Sequence, residues 1–267
     1  MTVKVPSARA FLRSPNRERL AHIALLLGTT MLVSHPAQAQ AGCTTEATVQ
    51  TCSGDQSGGV TAAAPTETLV VGELTAGIAP GAGTVGILYE TDTGATLLGD
   101  TGGFAVTATG ADGIRVGSTG GDVYIDHSGD VDAGGGRGIF AFADNGAAVI
   151  EGSGDVTSSL DAISANPRAG AAVVNWSGDI TSTEGQGIAL LADNGGASAE
   201  GDGAITAAQD AVTIDARGDG GNSSFKWDGD ITSTAGRRVT VGAHTAGSSV
   251  EAAGSIPAEH AAVTGSS

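Results

Sequence analysis

Ser177-Gly178-Asp179-Ile180-Thr181-Ser182-Thr183-Glu184-Gly185-Gln186-Gly187-Ile188-Ala189-Leu190-Leu191-Ala192-Asp193-Asn194-Gly195 is the larger part of one turn of a pattern that runs through most of this 267-residue chain. Ile180 belongs to an aliphatic column, Val106, Val131, Val156, Ile180, Ile205, Ile231 and Ile256, with steps of 25, 25, 24, 25, 26 and 25 residues. Ile188 belongs to a second column in phase with it: Ile114, Ile139, Ile163, Ile188, Val212, Val239 and Val263. Gly-Asp stands just before the first column at Gly129-Asp130, Gly154-Asp155, Gly178-Asp179 and Gly229-Asp230. Two columns holding one period over six intervals define a solenoid, in which each repeat buries its apolar face only against its neighbours.

Within a repeat the periodicity is 2, which is that of a strand. Six residues before the first column stand Ile125, Ile150, Val174, Ala199, Phe225 and Val250, and one residue later Asp126, Glu151, Asn175, Glu200, Lys226 and Glu251. Successive side chains on a strand face opposite ways, so the first set faces a core and the second faces water. The next position, His127, Gly152, Trp176, Gly201, Trp227 and Ala252, therefore points inward and alternates large with small. Coils stack only ~4.8 Å apart, so an indole over a glycine relieves crowding that two adjacent indoles would create. Both tryptophans read as core rather than as carbohydrate-stacking platforms.

A second strand starts at the second column, as in Ile139-Phe140-Ala141-Phe142-Ala143 and Ile188-Ala189-Leu190-Leu191-Ala192, with Phe140, Phe142 and Leu191 on its outward side. It ends in turn residues, Asp144-Asn145-Gly146 and Asp193-Asn194-Gly195, and a third short strand follows the Gly-Asp corner, as in Ile180-Thr181-Ser182 and Ile231-Thr232-Ser233. Short strands, turns at fixed offsets and 44 glycines for tight corners predict an all-β, right-handed parallel β-helix with about seven regular coils. The organisation expected is a signal peptide over residues 1–39, a lead-in or N-terminal cap over 40–68, irregular first coils over 69–103 and regular coils over 104–267. Leu69-Val70-Val71, Leu74 and Ile87-Leu88-Tyr89 mark the strands of the irregular coils, while residues 43 to 66 read as a poorly ordered or capping segment.

The first 39 residues carry Lys4, Arg9, Arg13, Arg17 and Arg19, then an apolar run from Leu20 to Val33, then Ala37-Gln38-Ala39. A basic segment, a short apolar segment and small residues at −3 and −1 form a secretory signal with cleavage after Ala39. Gln40 before the Cys43 region lacks the aliphatic residue of a lipobox, and no Arg-Arg pair marks a twin-arginine route. This segment holds five of the 12 basic and one of the 29 acidic residues, leaving 7 basic and 28 acidic residues and a net charge of −21. Such a chain is hostile to nucleic acid, which is held by clustered Lys and Arg, and suits solubility outside the cell. In an oxidising compartment Cys43 and Cys52, the two cysteines, are expected to form a small disulfide loop that staples the solenoid's N-terminal end.

The stacked Asp130, Asp155, Asp179 and Asp230 raise the possibility of Ca²⁺, which takes oxygen ligands. Yet the GGxGxD nonapeptide pattern is absent, and Asp after Gly is ordinary corner chemistry, so no metal or cofactor is expected. Arg217-Gly218-Asp219 aligns with the Asp-Asn-Gly corners and is a candidate recognition turn. Thr157, Thr181, Thr206 and Thr232 form one regular threonine column, short of the paired array of an ice-binding surface. The competing functional class is a β-helical lyase or hydrolase acting on acidic polysaccharide. Nothing in the sequence breaks the repeat to assemble a catalytic cluster, the histidines His127, His244 and His260 occupy different coil offsets, and Lys226 is the one lysine after residue 39. No catalytic residue is therefore assigned.

With its signal peptide, its Cys43 and Cys52 pair and its Gly-Ile…Asp-Asn-Gly…Ser-Gly-Asp-Ile coils, the chain over residues 40 to 267 resembles the passenger domains of autotransporters, the type V secretion proteins of Gram-negative bacteria. The resemblance implies a β-helical stalk at the cell surface, in the outer membrane or secreted, that serves adhesion, aggregation or biofilm formation. It implies a ligand on a host or neighbouring cell. Such passengers are followed by a β-helix cap and an outer-membrane β-barrel. This sequence stops within a coil at Val263-Thr264-Gly265-Ser266-Ser267, and it shows none of the ~10-residue alternating strands of a barrel. The expectation is a truncated reading frame, periplasmic in that case, or a passenger whose remainder lies elsewhere. An uncapped last coil would leave an open strand edge for self-association.

Overall fold

The computed structural model describes residues 42–253 and the backbone of residues 261–265. The signal peptide read in residues 1–39, its cleavage point at Ala39 and the column member Ile256 lie outside the described residues. Among those described, every regular element is a strand, and the strands stack as a parallel β-solenoid of about 8 turns with ~25 residues per turn.

Each coil contributes in sequence to three sheets. Ala172–Ser177 lies in a ten-stranded sheet, Ile180–Ser182 in a six-stranded sheet and Ile188–Ala192 in a nine-stranded sheet. Strands of 6, 3 and 5 residues hold their place through the coils above and below. The two aliphatic columns are the register of that stack. Val106, Val131, Val156, Ile180, Ile205 and Ile231 pair in series in the six-stranded sheet. Ile114, Ile139, Ile163, Ile188, Val212 and Val239 do the same in the nine-stranded sheet. One member of the second column is corrected: Val239 pairs with Ala261, and Val263 pairs with Val241. The last coil advances only from 239 to 261, and a two-residue offset preserves the strand's alternation, so the sequence pattern does not reveal it.

The stack continues below Phe104, where the spacing becomes irregular. Ile87 pairs with Ile114, Val60 with Ile87, and Ile78 bridges to Val106. Nor is the lead-in loose. Gly42–Glu46 and Val49–Gly54 form an antiparallel hairpin, and Val60–Ala63 begins the nine-stranded sheet. The hairpin's outer strand is the edge of the ten-stranded sheet and its only antiparallel member among the described residues. Folding the chain back on itself in this way covers the first parallel strand. Buried Gln56 pins the cap by donating to the carbonyl oxygens of Ser53 (2.7 Å) and Gly42 (3.3 Å).

The core follows the alternation. Ile125, Ile150, Val174, Ala199 and Phe225 are buried, while Asp126, Glu200 and Lys226 are exposed. Fully burying each such aliphatic contributes about 1.5–3 kcal/mol. Val250 and Ala252, in the last described strand of that sheet, are only half-buried and exposed. Trp176 and Trp227 are each 1% exposed; Trp176 sits between Gly152 and Gly201, and Trp227 between Gly201 and Ala252. A Cβ at Gly201 would collide with the Trp176 carbonyl and lie 2.7 Å from the Trp227 ring. The indole N–H groups donate to the carbonyls of Gly154 (2.8 Å) and Gly203 (2.7 Å), the corner glycines of the coil below. Burial thus leaves no indole donor unpaired.

Candidate binding face

The corners hold the coils in register with side chains as well as backbone. At the Gly-Asp corner, Gly178 adopts φ +140°, a conformation that a side chain would resist. The adjacent carboxylates then link one coil to the next. Asp130 Oδ1 accepts the Asp155 N–H (2.9 Å), Asp155 Oδ1 accepts that of Asp179 (3.0 Å), and Asp179 Oδ1 accepts that of Ala204 (2.8 Å). A second ladder precedes the nine-stranded sheet, where Asp112, Asp161 and Asp210 accept the N–H groups of Arg137 (2.8 Å), Gln186 (3.1 Å) and Arg237 (2.7 Å). At the third corner the Nδ2 groups of Asn145 and Asn194 donate to the carbonyls of Thr119 (2.6 Å) and Arg168 (2.7 Å). Gly195 is required there for a different reason than Gly178: a Cβ would strike the Gly170 carbonyl. The carboxylate column thus acts as a chain of backbone acceptors, and among the described residues no group of three or more His, Cys, Asp or Glu is placed to hold a metal ion.

The outer side of the nine-stranded sheet differs in charge from the rest of the rod. Blocks 85–92, 112–119, 137–144, 161–168, 186–193, 210–217 and 237–244 contain seven of its nine strands and their flanking corners. They hold six basic residues (Arg115, Arg137, Arg168, Arg217, Arg237 and Arg238) and eight acidic ones, a net of −2. The remainder of residues 40–267 sets Lys226 against 20 acidic residues, a net of −19. Four of the six arginines are tied from coil to coil: Arg115 to Glu90 (3.0 Å), Arg137 to Asp161 (3.9 Å), Arg168 to Asp144 (3.4 Å) and Arg217 to Asp193 (3.7 Å). These pairs are partly or largely exposed and contribute little stability, on the order of 0–1 kcal/mol each. Their larger effect is to cancel charge locally.

Among these arginines lie the outward aromatics. Phe140 and Phe142 stack with centroids 5.6 Å apart, Arg137 sits 4.2 Å from the Phe140 centroid, and Arg115 lies within 5.6 Å of that of Phe142. Gly117 makes room for the Phe142 ring, since a Cβ there would collide with it. The rings, Asn166, Leu191 and the Arg168 and Asp193 side chains line an open depression of about 380 Å³. The sequence placed Phe140, Phe142 and Leu191 outward; the structure makes all three half-buried and adds the arginine frame.

Cys43 and Cys52 lie directly opposite one another in the N-terminal hairpin, with their sulfurs bonded, far along the chain from this face. Arg217-Gly218-Asp219 occupies the corner at one margin of it. Arg217 and Asp219 are exposed there, but Gly218 is buried, and the Arg217 guanidinium is held by Asp215 (2.9 Å) as well as Asp193. The threonine column is present on the six-stranded sheet, where Thr157, Thr206 and Thr232 are exposed and Asp132 ends it beside Thr157. His127, read as inward, is wholly buried, and neither ring nitrogen has a hydrogen-bond partner. Burial lowers its pKa from 6.5 to about 4, against the opposing pull of the Gly129 backbone and the Asp100 and Asp130 carboxylates. The balanced charge of the face was missed because its members are 24 to 25 residues apart; aligning the repeats by coil offset brings them together.

No protein-family model matches the chain, and no curated protein or solved structure matches it either.

Proposed function

We propose that the chain is a non-enzymatic, surface-exposed or secreted β-helical rod of the autotransporter-passenger type, serving adhesion, aggregation or biofilm formation. The observation that carries this reading is the near-neutral face, with its phenylalanines and arginines in an open depression, on a rod that is otherwise strongly acidic. Clustered apolar and aromatic side chains left partly in water favour contact with another surface. A rigid three-sheet rod holds such a face in fixed geometry at a distance from its attachment point. Export rests on the basic, apolar and small-residue succession of residues 1–39. The finer assignment to autotransporter passengers rests on the style of the coils and the cysteine pair.

The test is attachment of chain-coated beads to cells and abiotic surfaces, comparing the unaltered chain with a Phe140→Ser/Phe142→Ser variant. The expected result is attachment that the double substitution abolishes while the circular dichroism spectrum is retained. Equal attachment by both chains would remove the face from the proposal. Shortening of an acidic polysaccharide by the purified chain would replace the whole reading with the enzymatic one.

A further inference from the structure

The corner that bounds the face carries an alternating column of charge. Asp144, Arg168, Asp193 and Arg217 are the first residues after the strands Ile139–Ala143, Ile163–Pro167, Ile188–Ala192 and Val212–Ala216. The backbone stacks them: the Arg168, Asp193 and Arg217 N–H groups donate to the carbonyls of Ala143, Pro167 and Ala192. The column therefore reads minus, plus, minus, plus at one step per coil. Arg168 is 72% exposed, Asp193 44% and Arg217 55%, so these groups retain capacity for outside partners beyond their mutual contacts.

A column of this kind is complementary to its own reversal. We infer that the occupant of this face is a second copy of the chain, docked antiparallel about a two-fold axis that lies in the interface, along the strand direction, midway between the Arg168 and Asp193 coils. That axis sets Asp144 against the second copy's Arg217 and Arg168 against its Asp193, and symmetry repeats both pairs. An isologous contact of this type closes at two copies. The same axis lays the strand holding Phe140 and Phe142 over the strand holding Thr213 and Asp215, so the bulky part of one face meets the slimmer part of the other. Ser164 and Asn166 come over Ala189 and Leu191.

Charge decides which face docks. The net of −21 over residues 40–267 opposes any approach of two copies, and the −2 face is where that opposition is least. Six coils at ~4.8 Å, with strands and corners about 22 Å across, present about 630 Å² per copy, or about 1,270 Å² in total. That lies near the lower limit of specific interfaces and corresponds to weak, reversible pairing.

This inference rests on the proposal that the face is a contact surface and names its partner. The test is sedimentation velocity of the purified chain over a concentration series, in 50 mM and 500 mM salt. A reversible dimer with a Kd in the micromolar range, weakened at high salt, is expected. Arg168→Asp alone and Asp193→Arg alone each place like charges across the axis twice, and each is expected to raise Kd at least about tenfold. Mixing the two variants restores every pair in the heterodimer, so the mixture should return to within about threefold of the unaltered Kd. Circular dichroism melting checks that each variant folds; should either fail, the salt dependence of the unaltered chain still decides.

A chain that stays monomeric throughout, dimerises independently of salt, or shows no recovery on mixing overturns the inference. Bead attachment separates this outcome from failure of the proposed function. A monomer that still attaches leaves the contact face standing with another partner, and a dimer that does not attach leaves the pairing standing alone.

Discussion

His127 offers the sharpest test of the core. It lies in the inward column between Gly99 and Gly152, in the place that Trp176 and Trp227 take two and four coils further on. Unlike those of the indoles, its ring nitrogens make no well-formed hydrogen bond, although the Gly129 backbone still favours the charged form. Burial disfavours the charged imidazolium and brings the folded-state pKa to about 4, against 6.5 for the free side chain. Between those values the unfolded chain binds the proton and the folded chain does not. Stability from this group is therefore complete above pH 6.5, is lost as pH falls through the window, and has no further slope below about 4. From pH 8 to pH 5 the loss is about 2 kcal/mol. For a domain of this size that is about 4–8 °C in melting temperature.

The control is His127→Phe, which keeps a ring in the space between the glycines and has nothing to titrate. Ordinary carboxylates remain mostly ionised at pH 5, and every other histidine is present in both chains. The difference in pH dependence thus isolates His127. Circular dichroism melting of both chains at pH 8 and pH 5 should show the unaltered chain losing several degrees more than the variant. Because a solenoid unfolds by coils, hydrogen exchange in Val123–Ser128 should report the same difference locally. Parallel pH dependence in the two chains, or an imidazole that titrates near 6.5 by NMR, would refute the argument.

Four further outcomes follow from the same geometry. Gly201→Ala forces a methyl between the Trp176 carbonyl and the Trp227 ring, and is expected to destabilise by about 1–3 kcal/mol, with a red shift of tryptophan emission; unchanged melting and emission would contradict the packing. Asp155→Ala removes the acceptor for the Asp179 N–H at a cost of about 1–2 kcal/mol and should speed exchange of that amide. Because the aspartates serve the backbone, calcium followed by chelator should leave the melting temperature of the unaltered chain in place, and a calcium-dependent rise would restore the metal reading. Asp219→Glu should leave cell attachment as it was, since Arg217 is already engaged by Asp193 and Asp215; loss of attachment would establish the tripeptide as a recognition turn.

What was legible in the sequence was whatever repeats at one offset per coil. Val131, Val156 and Ile180 announce a register because their period is constant, and Trp176 announces burial because a glycine stands at its offset in each adjacent coil. Less visible were features whose chemistry alternates between coils. Asp112, Arg137, Asp161, Gln186 and Asp210 share an offset, yet the carboxylate returns only in every second coil, so the ladder does not appear as a column of one residue type. The arginine frame around Phe140 was hidden in the same way. Tyr89 shows the limit where the period fails: it is fully buried and donates to the Thr66 carbonyl (2.8 Å), a partner in the irregular coils that no offset from the regular ones identifies.

The acidity of the rod and its regularity are linked. Stacking identical coils places like residues ~4.8 Å apart, so a conserved offset for aspartate in successive coils becomes a row of repelling carboxylates. At the corners the repulsion is met by the backbone, since Asp130, Asp155 and Asp179 each accept an N–H from the coil above. Along the ten-stranded sheet it is met by variation at a single offset. Asn175 donates to Glu151 (3.0 Å) and Lys226 to Glu200 (3.1 Å), which interrupts what would otherwise be a continuous acidic column. Beside the nine-stranded sheet it is met by strict alternation of Asp and Arg. Only this last solution produces a surface that matches its own reverse, so the same constraint that lets acidic coils stack within one molecule also prepares one face to meet another.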